Sequence, residues 1–343
     1  MQAFLDQEFL PASALARITA VRVTDPQCSV RAAKARKRRS NLTLDGKLNI
    51  LAADHPARRV TKVGDDALKM ADRHGYLARI VRVLQSDLVD GVMATMDVLE
   101  DLLILHHLIL EAGGPAFLDD KLLIASLNRG GLAGTSWEMD DPVTGPSPAT
   151  CAALKLDGAK LLLRICDEDP NSLNTMLYCA RAITEMNGLG LPTFLEPLPV
   201  SKTDSGYRVV KTAEALAKIV GVASALGDTS RYLWLKLPYC ENYEAVACAT
   251  TLPILLLGGE SVGDATPLLR EISAGLSAGS NVRGALVGRN VLYPGAEDPL
   301  VVAQAAGSII HHNWSVERTL EAQESWRGGD MNEVSRYFDL LSV

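Results

Sequence analysis

The stretch Tyr232-Leu-Trp-Leu-Lys-Leu-Pro238 places a lysine, Lys236, inside a short apolar run. The run has the length and the composition of a buried β-strand. A charged ammonium is costly to bury, so a lysine in such surroundings tends to lose its proton. A neutral amine is a nucleophile and can form a Schiff base with a carbonyl substrate. The stretch therefore predicts a buried strand that carries a reactive lysine.

Short apolar runs of the same kind recur along the chain and alternate with longer stretches of helical periodicity. Strands that alternate with helices indicate βαβ units and a parallel sheet. Eight such units within about 300 residues predict an α/β fold of the (β/α)8 TIM-barrel type. A doubly wound open sheet is the competing topology, and periodicity alone does not exclude it. The eight runs lie near residues 48–54, 89–94, 121–126, 159–166, 192–196, 232–238, 253–258 and 284–289.

The barrel pattern occupies residues 45–312, and a segment of different character lies on each side of it. Residues 1–44 combine a helical stretch with the basic run Arg31-Ala-Ala-Lys-Ala-Arg-Lys-Arg-Arg-Ser40. We interpret this run first as a solvated or mobile arm, and contact with RNA, substrate phosphates or a partner subunit stays open. Residues 313–343 have the pattern of polar helices packed outside the barrel. The expected organisation is an N-terminal helix and basic arm, a barrel, and a C-terminal helical tail.

Two long interruptions follow the third and the fifth predicted strands, at residues 128–147 and 197–206. In a barrel, the segments that follow strands lie at the carboxyl-terminal face, where active sites form. Long loops in that position usually carry function. Both interruptions are therefore expected beside the active site.

Composition limits the partners of the chain. It has 343 residues, 48% of them hydrophobic, and a formal net charge of −7, which argues against a general nucleic-acid-binding surface. No apolar run reaches the ~18 residues that suggest a membrane span. The N-terminus carries acidic residues where a signal peptide has a basic start. We expect a cytoplasmic protein without membrane or nucleic-acid partners, and no sequence feature decides whether it forms a homo-oligomer.

Four ionisable residues lie on four different predicted strands. Asp54, Glu196 and Lys236 are at or near the carboxyl ends of their strands, where barrel enzymes carry catalytic groups. Lys160 is nearer the start of its strand and is expected deeper in the barrel. Side chains alternate along a strand with a period of two, so all four can point inward with apolar neighbours on the same faces. Two lysines and two carboxylates are therefore expected to converge in one cavity.

A Schiff-base aldolase needs such a set of groups. One lysine attacks the ketone, and a carboxylate or another acid moves protons while carbinolamine becomes imine and while the C–C bond breaks. A second cation near the nucleophile lowers the pKa of the nucleophile. For each residue alone a salt-bridge role is the simpler interpretation. Their combination on four strands favours a carbon–carbon lyase.

The last two strands end in glycine-containing turns, Leu257-Gly-Gly-Glu-Ser-Val-Gly263 and Val287-Gly-Arg-Asn290. Glycines let backbone N–H groups approach an anion closely, and the loops after strands seven and eight hold a phosphate in many barrels. Ordinary turn glycines are the alternative. The residues expected to bind a substrate phosphate are Gly258, Gly259, Ser261, Gly288 and Arg289.

Two further residues are candidate substrate contacts. His55 directly follows Asp54 at the expected active-site face, and Arg164 shares a strand face with Lys160. A phosphorylated sugar or keto acid is thus the expected partner.

Metal and nucleotide cofactors find no support in the sequence. The pairs His106-His107 and His311-His312 are adjacent in predicted helices, where neighbours diverge by about 100°, so each pair chelates a metal poorly. The chain has no G-x-G-x-x-G or Walker loop. We expect neither a metal nor another cofactor.

Five short motifs, in the same order along the chain, resemble the class I aldolases of the group that contains tagatose bisphosphate, archaeal-type fructose bisphosphate and deoxyribose-phosphate aldolases. The resemblance covers roughly residues 45–312. The resemblance implies Lys236 as the nucleophile, Glu196 as the proton shuttle, and Asp54 and Lys160 as supporting groups. The motifs are Ala53-Asp54, Gly158-Ala-Lys-Leu-Leu-Leu-Arg-Ile-Cys-Asp-Glu-Asp169, Phe194-Leu-Glu-Pro-Leu198, Trp234-Leu-Lys-Leu-Pro238 and Ala285-Leu-Val-Gly-Arg289.

Some segments depart from this pattern. The turn His55-Pro-Ala-Arg-Arg59 replaces the usual glycine-containing turn of the group, and the loop 128–147 and the basic arm have no counterpart in it. These departures bear on which substrate the protein uses more than on which type of reaction it catalyses. The chain also resembles actinobacterial aldolase-like proteins associated with inositol breakdown, which implies a phosphorylated deoxy-keto-sugar acid as substrate.

Two other functions stay open at this stage. Gly259-Glu-Ser-Val-Gly263 matches the G-x-S-x-G nucleophile elbow, and Asp298 and His311 or His312 follow in the order of a serine-hydrolase triad. A barrel that binds a sugar phosphate without turnover is the second alternative. Against the hydrolase, β/α units run evenly on both sides of Ser261 and no oxyanion loop of the HGGG type appears upstream. The combination of Lys236, Glu196, Asp54 and Lys160 argues against the non-catalytic barrel.

Overall fold

In the computed structural model of the chain, eight parallel strands close into a barrel with helices between them. The structure describes residues 4–204, 206–328, 331 and 333–339. The strands are β1 (Leu48–Ala53), β2 (Gly91–Ala94), β3 (Leu122–Ser126), β4 (Gly158–Ile165), β5 (Thr193–Thr203), β6 (Gly206–Val209), β7 (Leu233–Pro238), β8 (Ile254–Leu257) and β9 (Val282–Val287). The first strand pairs with β2 on one side and with β9 on the other, which closes the ring. The predicted (β/α)8 barrel is confirmed, and the open sheet is excluded.

Helices surround the barrel. None of those in the described part of the chain combines the length and the apolarity that a membrane span requires. The helices are α1 (Asp6–Phe9), α2 (Ala12–Thr24), α3 (Cys28–Ala35), α4 (Arg73–Leu84), α5 (Met96–Glu111), α6 (Pro148–Ala153), α7 (Asn171–Gly188), α8 (Ala213–Ser224), α9 (Tyr243–Ala247), α10 (Thr266–Ala278), α11 (Arg289–Leu292), α12 (Pro299–His312), α13 (Val316–Trp326) and α14 (Ser335–Asp339). A short 3₁₀ turn spans Pro56–Arg58.

Alternation along the strands divides the core into two layers. Ile50 and Ala52 of β1 pack inside the barrel with Phe194 of β5 and Trp234 of β7. Leu51, between Ile50 and Ala52, packs outward with the helices. Because the faces alternate with a period of two, polar residues that come after these apolar residues on the same face also point into the barrel. They lie at its carboxyl end.

The fifth strand extends beyond the barrel as a hairpin. It pairs with β6 in antiparallel register, from Val200 opposite Val209 to Thr203 opposite Gly206. The expectation of a long loop at 197–206 is therefore wrong for residues 197–203, which extend β5 and pair with β4 and β6. Residue 205 lies outside the described residues.

The basic arm is bound to the amino-terminal end of the barrel. The guanidinium of Arg36 is 2.5 Å from a carboxylate oxygen of Asp157, and Arg38 binds the other oxygen of the same side chain at 2.9 Å. Arg39 lies 2.8 Å from Asp90. The interpretation as a solvated arm is wrong for Arg36 and Arg39, since both guanidinium groups are buried against carboxylates that precede β2 and β4.

Candidate active site

Glu196 lies between two lysines on neighbouring strands. Its Oε2 atom is 2.6 Å from Lys160 Nζ and 3.1 Å from Lys236 Nζ. Pairing of Phe194 with both Lys160 and Trp234 produces this geometry, because Glu196 and Lys236 each follow two residues later on the same faces. The register also puts Lys160 one step deeper in the barrel than Glu196, as predicted from its place in the strand.

Asp54 completes the cluster from the end of the first strand. Its Oδ2 atom accepts a hydrogen bond from Ser126 Oγ at 2.8 Å and lies 3.5 Å from Lys160 Nζ. The guanidinium of Arg129 makes a direct ion pair with the same oxygen. The structure thus brings together all four residues predicted to be catalytic, and it adds Arg129 to them.

The charges of the cluster control the protonation of its carboxylates. Burial by itself would raise the pKa of Glu196, but Lys160, Lys236 and Arg129 outweigh burial and hold the pKa at about 2. Burial likewise opposes ionisation of Asp54, and the charges of Arg129 and Lys160 hold the pKa of this carboxyl well below its usual range. Both carboxylates are therefore ionised at neutral pH.

The same environment lowers the pKa of two nitrogen bases. Burial and the nearby guanidinium of Arg129 lower the pKa of Lys160 to about 8. Burial lowers the pKa of His55 to about 3, so its ring is neutral at neutral pH. The Nδ1 atom of His55 has no hydrogen-bond partner among the described residues.

A cavity of about 930 Å³ opens above the cluster at the carboxyl end of the barrel. Lys236, Glu196 and Arg129 form part of its lining, together with His55. Lys160 is 0% exposed and lies below this surface. A small molecule in the cavity would meet Lys236 first.

The predicted phosphate-binding residues occupy different positions in this cavity. Gly258, Gly259, Gly288 and Arg289 line it. The hydroxyl of Ser261 donates instead to the carbonyl oxygen of Tyr293 at 2.5 Å. Ser261 therefore fixes its own turn, and the glycines and the arginine stay available to an anion.

Arg164, predicted to contact substrate, holds the long loop after β3. Its guanidinium lies 2.5 Å from Glu138 Oε1 and contacts the carbonyl oxygens of Glu138 and Gly131. Arg58 binds the same carboxylate at 2.6 Å. The carboxylate of the loop attracts the arginine away from the cavity, so the structure assigns Arg164 to loop anchoring.

Arg129 is the main site residue that sequence analysis missed. It follows the third strand directly, inside a loop expected at the active-site face, and this position was the available signal. The direction of a loop side chain depends on its partner, here Asp54, which lies 75 positions earlier in the chain.

The described residues do not assemble the hydrolase triad. His311 binds Asp45 at 2.9 Å and Asp90 at 3.2 Å at the amino-terminal end of the barrel. Asp298 binds Arg82 at 2.7 Å. Ser261 follows β8 at the opposite, carboxyl-terminal end. Within the same part of the chain, no group of three or more His, Cys, Asp or Glu side chains is arranged to hold a metal ion.

Comparison with known proteins relates the fold to other barrels. A Schiff-base-forming fructose-1,6-bisphosphate aldolase is 22% identical with a TM-score of 0.53, over 82% of this chain and 100% of that chain, and shares the fold. The curated 2-amino-3,7-dideoxy-D-threo-hept-6-ulosonate synthase 1 of Archaeoglobus fulgidus is 30% identical over 87 residues. That match spans 25% of this chain and only about a third (32%) of the relative's length.

A stronger match covers nearly the whole barrel. The crystal structure of Cgl0159 from Corynebacterium glutamicum superposes with a TM-score of 0.82 at 35% identity, over 88% of this chain and 98% of that chain. The family model described as Cgl0159-like matches residues 46–307. The chain therefore belongs to the Cgl0159-like family.

Proposed function

We propose that the protein is a class I aldolase, a lyase that reversibly cleaves a phosphorylated ketose or keto-sugar acid through a Schiff base on Lys236. The observation that carries the proposal is the single carboxylate oxygen of Glu196 between the Nζ atoms of Lys160 and Lys236 at the floor of a cavity. The barrel fold shared with a Schiff-base-forming aldolase supports the same reaction class.

Lys236 is the nucleophile of this proposal because a substrate in the cavity can reach it. The side chain of Lys236 lines the cavity, whereas that of Lys160 is wholly buried. A carbonyl carbon must come within bonding distance of the amine, so only the accessible lysine can react without rearrangement of the barrel. Lys160 then acts through its effect on Glu196 and on the charge of the site.

Imine formation requires a group that moves protons beside the amine. The neutral amine of Lys236 attacks the ketone, and the carbinolamine loses its hydroxyl as water to form the iminium. Glu196 is within 3.1 Å of the amine nitrogen and can accept a proton from it and return one to the departing hydroxyl. The carboxylate is thus suited to be the shuttle in both directions.

Cleavage uses the iminium as an electron sink. A base removes the proton of the hydroxyl at the bond to be cleaved, the C–C electron pair moves toward the iminium nitrogen, and an aldehyde leaves while an enamine remains on Lys236. Protonation of the enamine carbon and addition of water then release the second product. Asp54, ionised and held by Arg129, is the second carboxylate available to orient a substrate hydroxyl.

The phosphate end of the substrate would bind where the last two strands end. Gly258, Gly259 and Gly288 allow close approach to the backbone there, and Arg289 adds a guanidinium. A Cβ atom at Gly288 would lie 2.4 Å from the carbonyl oxygen of Ala52, so a larger residue does not fit. His55 lines the same cavity and is a further candidate contact for the substrate.

Borohydride trapping tests the proposal. The protein is incubated with dihydroxyacetone phosphate and sodium borohydride, and peptides are analysed by mass spectrometry. We expect a reduced adduct on Lys236, and its loss in Lys236→Met, with the exposed Lys218→Met as the matched control.

Other outcomes distinguish the alternatives. An adduct on Lys160 would keep the reaction class and reverse the roles of the two lysines. Tight binding of the sugar phosphate without an adduct would support a non-catalytic barrel. Full aldolase activity of Lys236→Met would rule out a mechanism through a Schiff base on Lys236.

A further inference from the structure

The cavity contains two cations without a carboxylate partner. Arg208 and Lys211 line it, and in the described part of the chain no carboxylate oxygen lies within 4.0 Å of either side chain. The whole chain has a net charge of −7, so this positive charge is a local feature. The other cavity arginines and lysine have acidic neighbours: Arg58 has Glu138, Arg129 has Asp54, Lys236 has Glu196 and Arg289 has Glu260.

The β5–β6 hairpin holds these two cations in place. Val210 N donates to the carbonyl oxygen of Pro199 at 2.8 Å, so the ribbon is hydrogen-bonded up to the residue before Lys211. Leu198 and Val200 of the hairpin pack in one apolar cluster with Leu257, the last residue of β8. Lys211 therefore extends from the anchored base of the hairpin and not from its tip.

The ammonium of Lys211 reaches the glycine turn that follows β8. A Cβ atom at Gly259 would lie 3.8 Å from Lys211 Nζ. Asn290 Nδ2 donates to the carbonyl oxygen of Gly259 at 3.3 Å, which ties this turn to the segment after β9. A cation carried by the fifth β/α unit thus meets the two turns that end the barrel.

We propose that Lys211 is an anion-binding residue of this cavity, held by the hairpin beside the Gly258-Gly259 turn to bind the phosphate monoester end of the substrate. The proposal rests on the proposed function for the presence of that phosphate. An ammonium is a compact charge with three donors, and the Lys211 side chain is exposed where it lines the cavity, so an incoming anion can reach it. Glu271, which also lines the cavity, interacts with Lys211. It forms no ion pair with Lys211 within 4.0 Å, so the three donors of the ammonium stay available to the ligand.

Inorganic phosphate is the probe for this site. Calorimetric titration at constant ionic strength compares the wild type with Lys211→Met and with Lys202→Met. Lys202 lies on the same hairpin but lines the groove on its outer side, so its replacement makes the same change of charge away from the cavity. Acetate, titrated in parallel, tests whether a carboxylate is bound instead.

Loss of one charged contact corresponds to a decrease in phosphate affinity of roughly tenfold or more. We expect this decrease in Lys211→Met and unchanged affinity in Lys202→Met. Equal affinity in all three proteins, or no phosphate binding by the wild type, would overturn the proposal. An equal loss of acetate binding would overturn the assignment to phosphate.

A separate readout keeps this test independent of the proposed reaction. Borohydride trapping with dihydroxyacetone, which has no phosphate, reports on Lys236 alone. If dihydroxyacetone gives an adduct on Lys236 but Lys211→Met does not change phosphate binding, the aldolase proposal stands and the Lys211 proposal is wrong. If phosphate binding depends on Lys211 but no carbonyl compound gives an adduct, the Lys211 site stands and the aldolase proposal is wrong.

Discussion

Glu196 is the residue on which the charge balance of the site depends. It is the only carboxylate within ion-pair distance of Lys236 in the described part of the chain, and it also contacts Lys160. Three nearby cations hold its pKa at about 2, so it approaches each catalytic step as an anion. A group of this kind accepts a proton only when a neighbouring cation gives one up, which suits a shuttle between amine and substrate.

Replacement of Glu196 by glutamine should separate imine formation from turnover. The amide cannot carry a proton between the amine and the substrate, so we expect kcat to fall by about 10²- to 10⁴-fold. Lys236 remains accessible, so borohydride should still trap an adduct, more slowly than in the wild type. The measurement is kcat alongside the rate of trapping.

The control is Glu214→Gln, a matched substitution at a side chain that is 78% exposed and lines a groove outside the cavity. Its kcat should stay close to the wild-type value. Unchanged turnover in Glu196→Gln would show that another group moves the proton.

At the scale of elements, the basic arm links neighbouring β/α units at the amino-terminal end of the barrel. Arg36 donates to the carbonyl oxygens of Lys121 and Lys155 as well as to Asp157. These partners precede β3 and β4, so one side chain links two β/α units. Contacts at this face of a barrel serve stability, away from the catalytic face.

Two arginines on the arm offer a matched comparison of stability. The side chain of Arg36 is 0% exposed and that of Arg38 is 37% exposed, although both bind Asp157. We expect Arg36→Met to lower the free energy of unfolding by about 3 kcal/mol, because it removes one partner of a buried ion pair. Arg38→Met should cost about 1 kcal/mol or less.

Urea unfolding of both variants measures the difference. Equal losses would mean that burial does not decide the strength of these pairs. Aldolase activity of either variant should be retained, since both residues lie at the end of the barrel opposite the cavity.

At the scale of the whole molecule, His311 joins the last barrel helix to the first two strands. It lies at the end of α12 and contacts Asp45, which precedes β1, and Asp90, which precedes β2. Burial opposes protonation of the ring, but the hydrogen bonds and charges of Asp90 and Asp45 outweigh it and raise the pKa of His311 above its usual value. Protonated His311 thus stabilises the point where the ring of β/α units closes.

The pH dependence of this contribution has a definite sign. Since the pKa is higher in the folded protein than in the unfolded chain, the stabilisation is fully present below about pH 6.5 and is lost as pH rises through the folded value. We expect His311→Gln to be less stable than the wild type at about pH 5.5, and the gap should narrow by about pH 9. Urea unfolding at both pH values, with His107→Gln as control, checks this, and a gap that widens with pH would contradict it.

Much of the barrel was predictable because strand patterns are local. The run around Lys236 and the seven similar runs coincide with the eight barrel strands. Helix boundaries depend on capping: α4 begins at Arg73, where the side chain of Asp72 accepts hydrogen bonds from backbone N–H groups of the first turn. The hairpin was missed because the predicted fifth strand ends at residue 196, whereas β5 continues to Thr203 and pairs with β6.

The sequence by itself determined the alternation of strands and helices and the inner face of each strand, since the period of two is a property of the local backbone. It thereby directed Asp54, Lys160, Glu196 and Lys236 toward one interior. Pairing of β1 with β9, which only the tertiary structure shows, decided for the closed barrel and against the open sheet. Only the tertiary structure decided that Glu196 separates the two lysines, because strand register is set by pairing between distant segments. It also decided the partners of the arginines, whose long side chains follow the nearest buried carboxylate, wherever that lies in the chain.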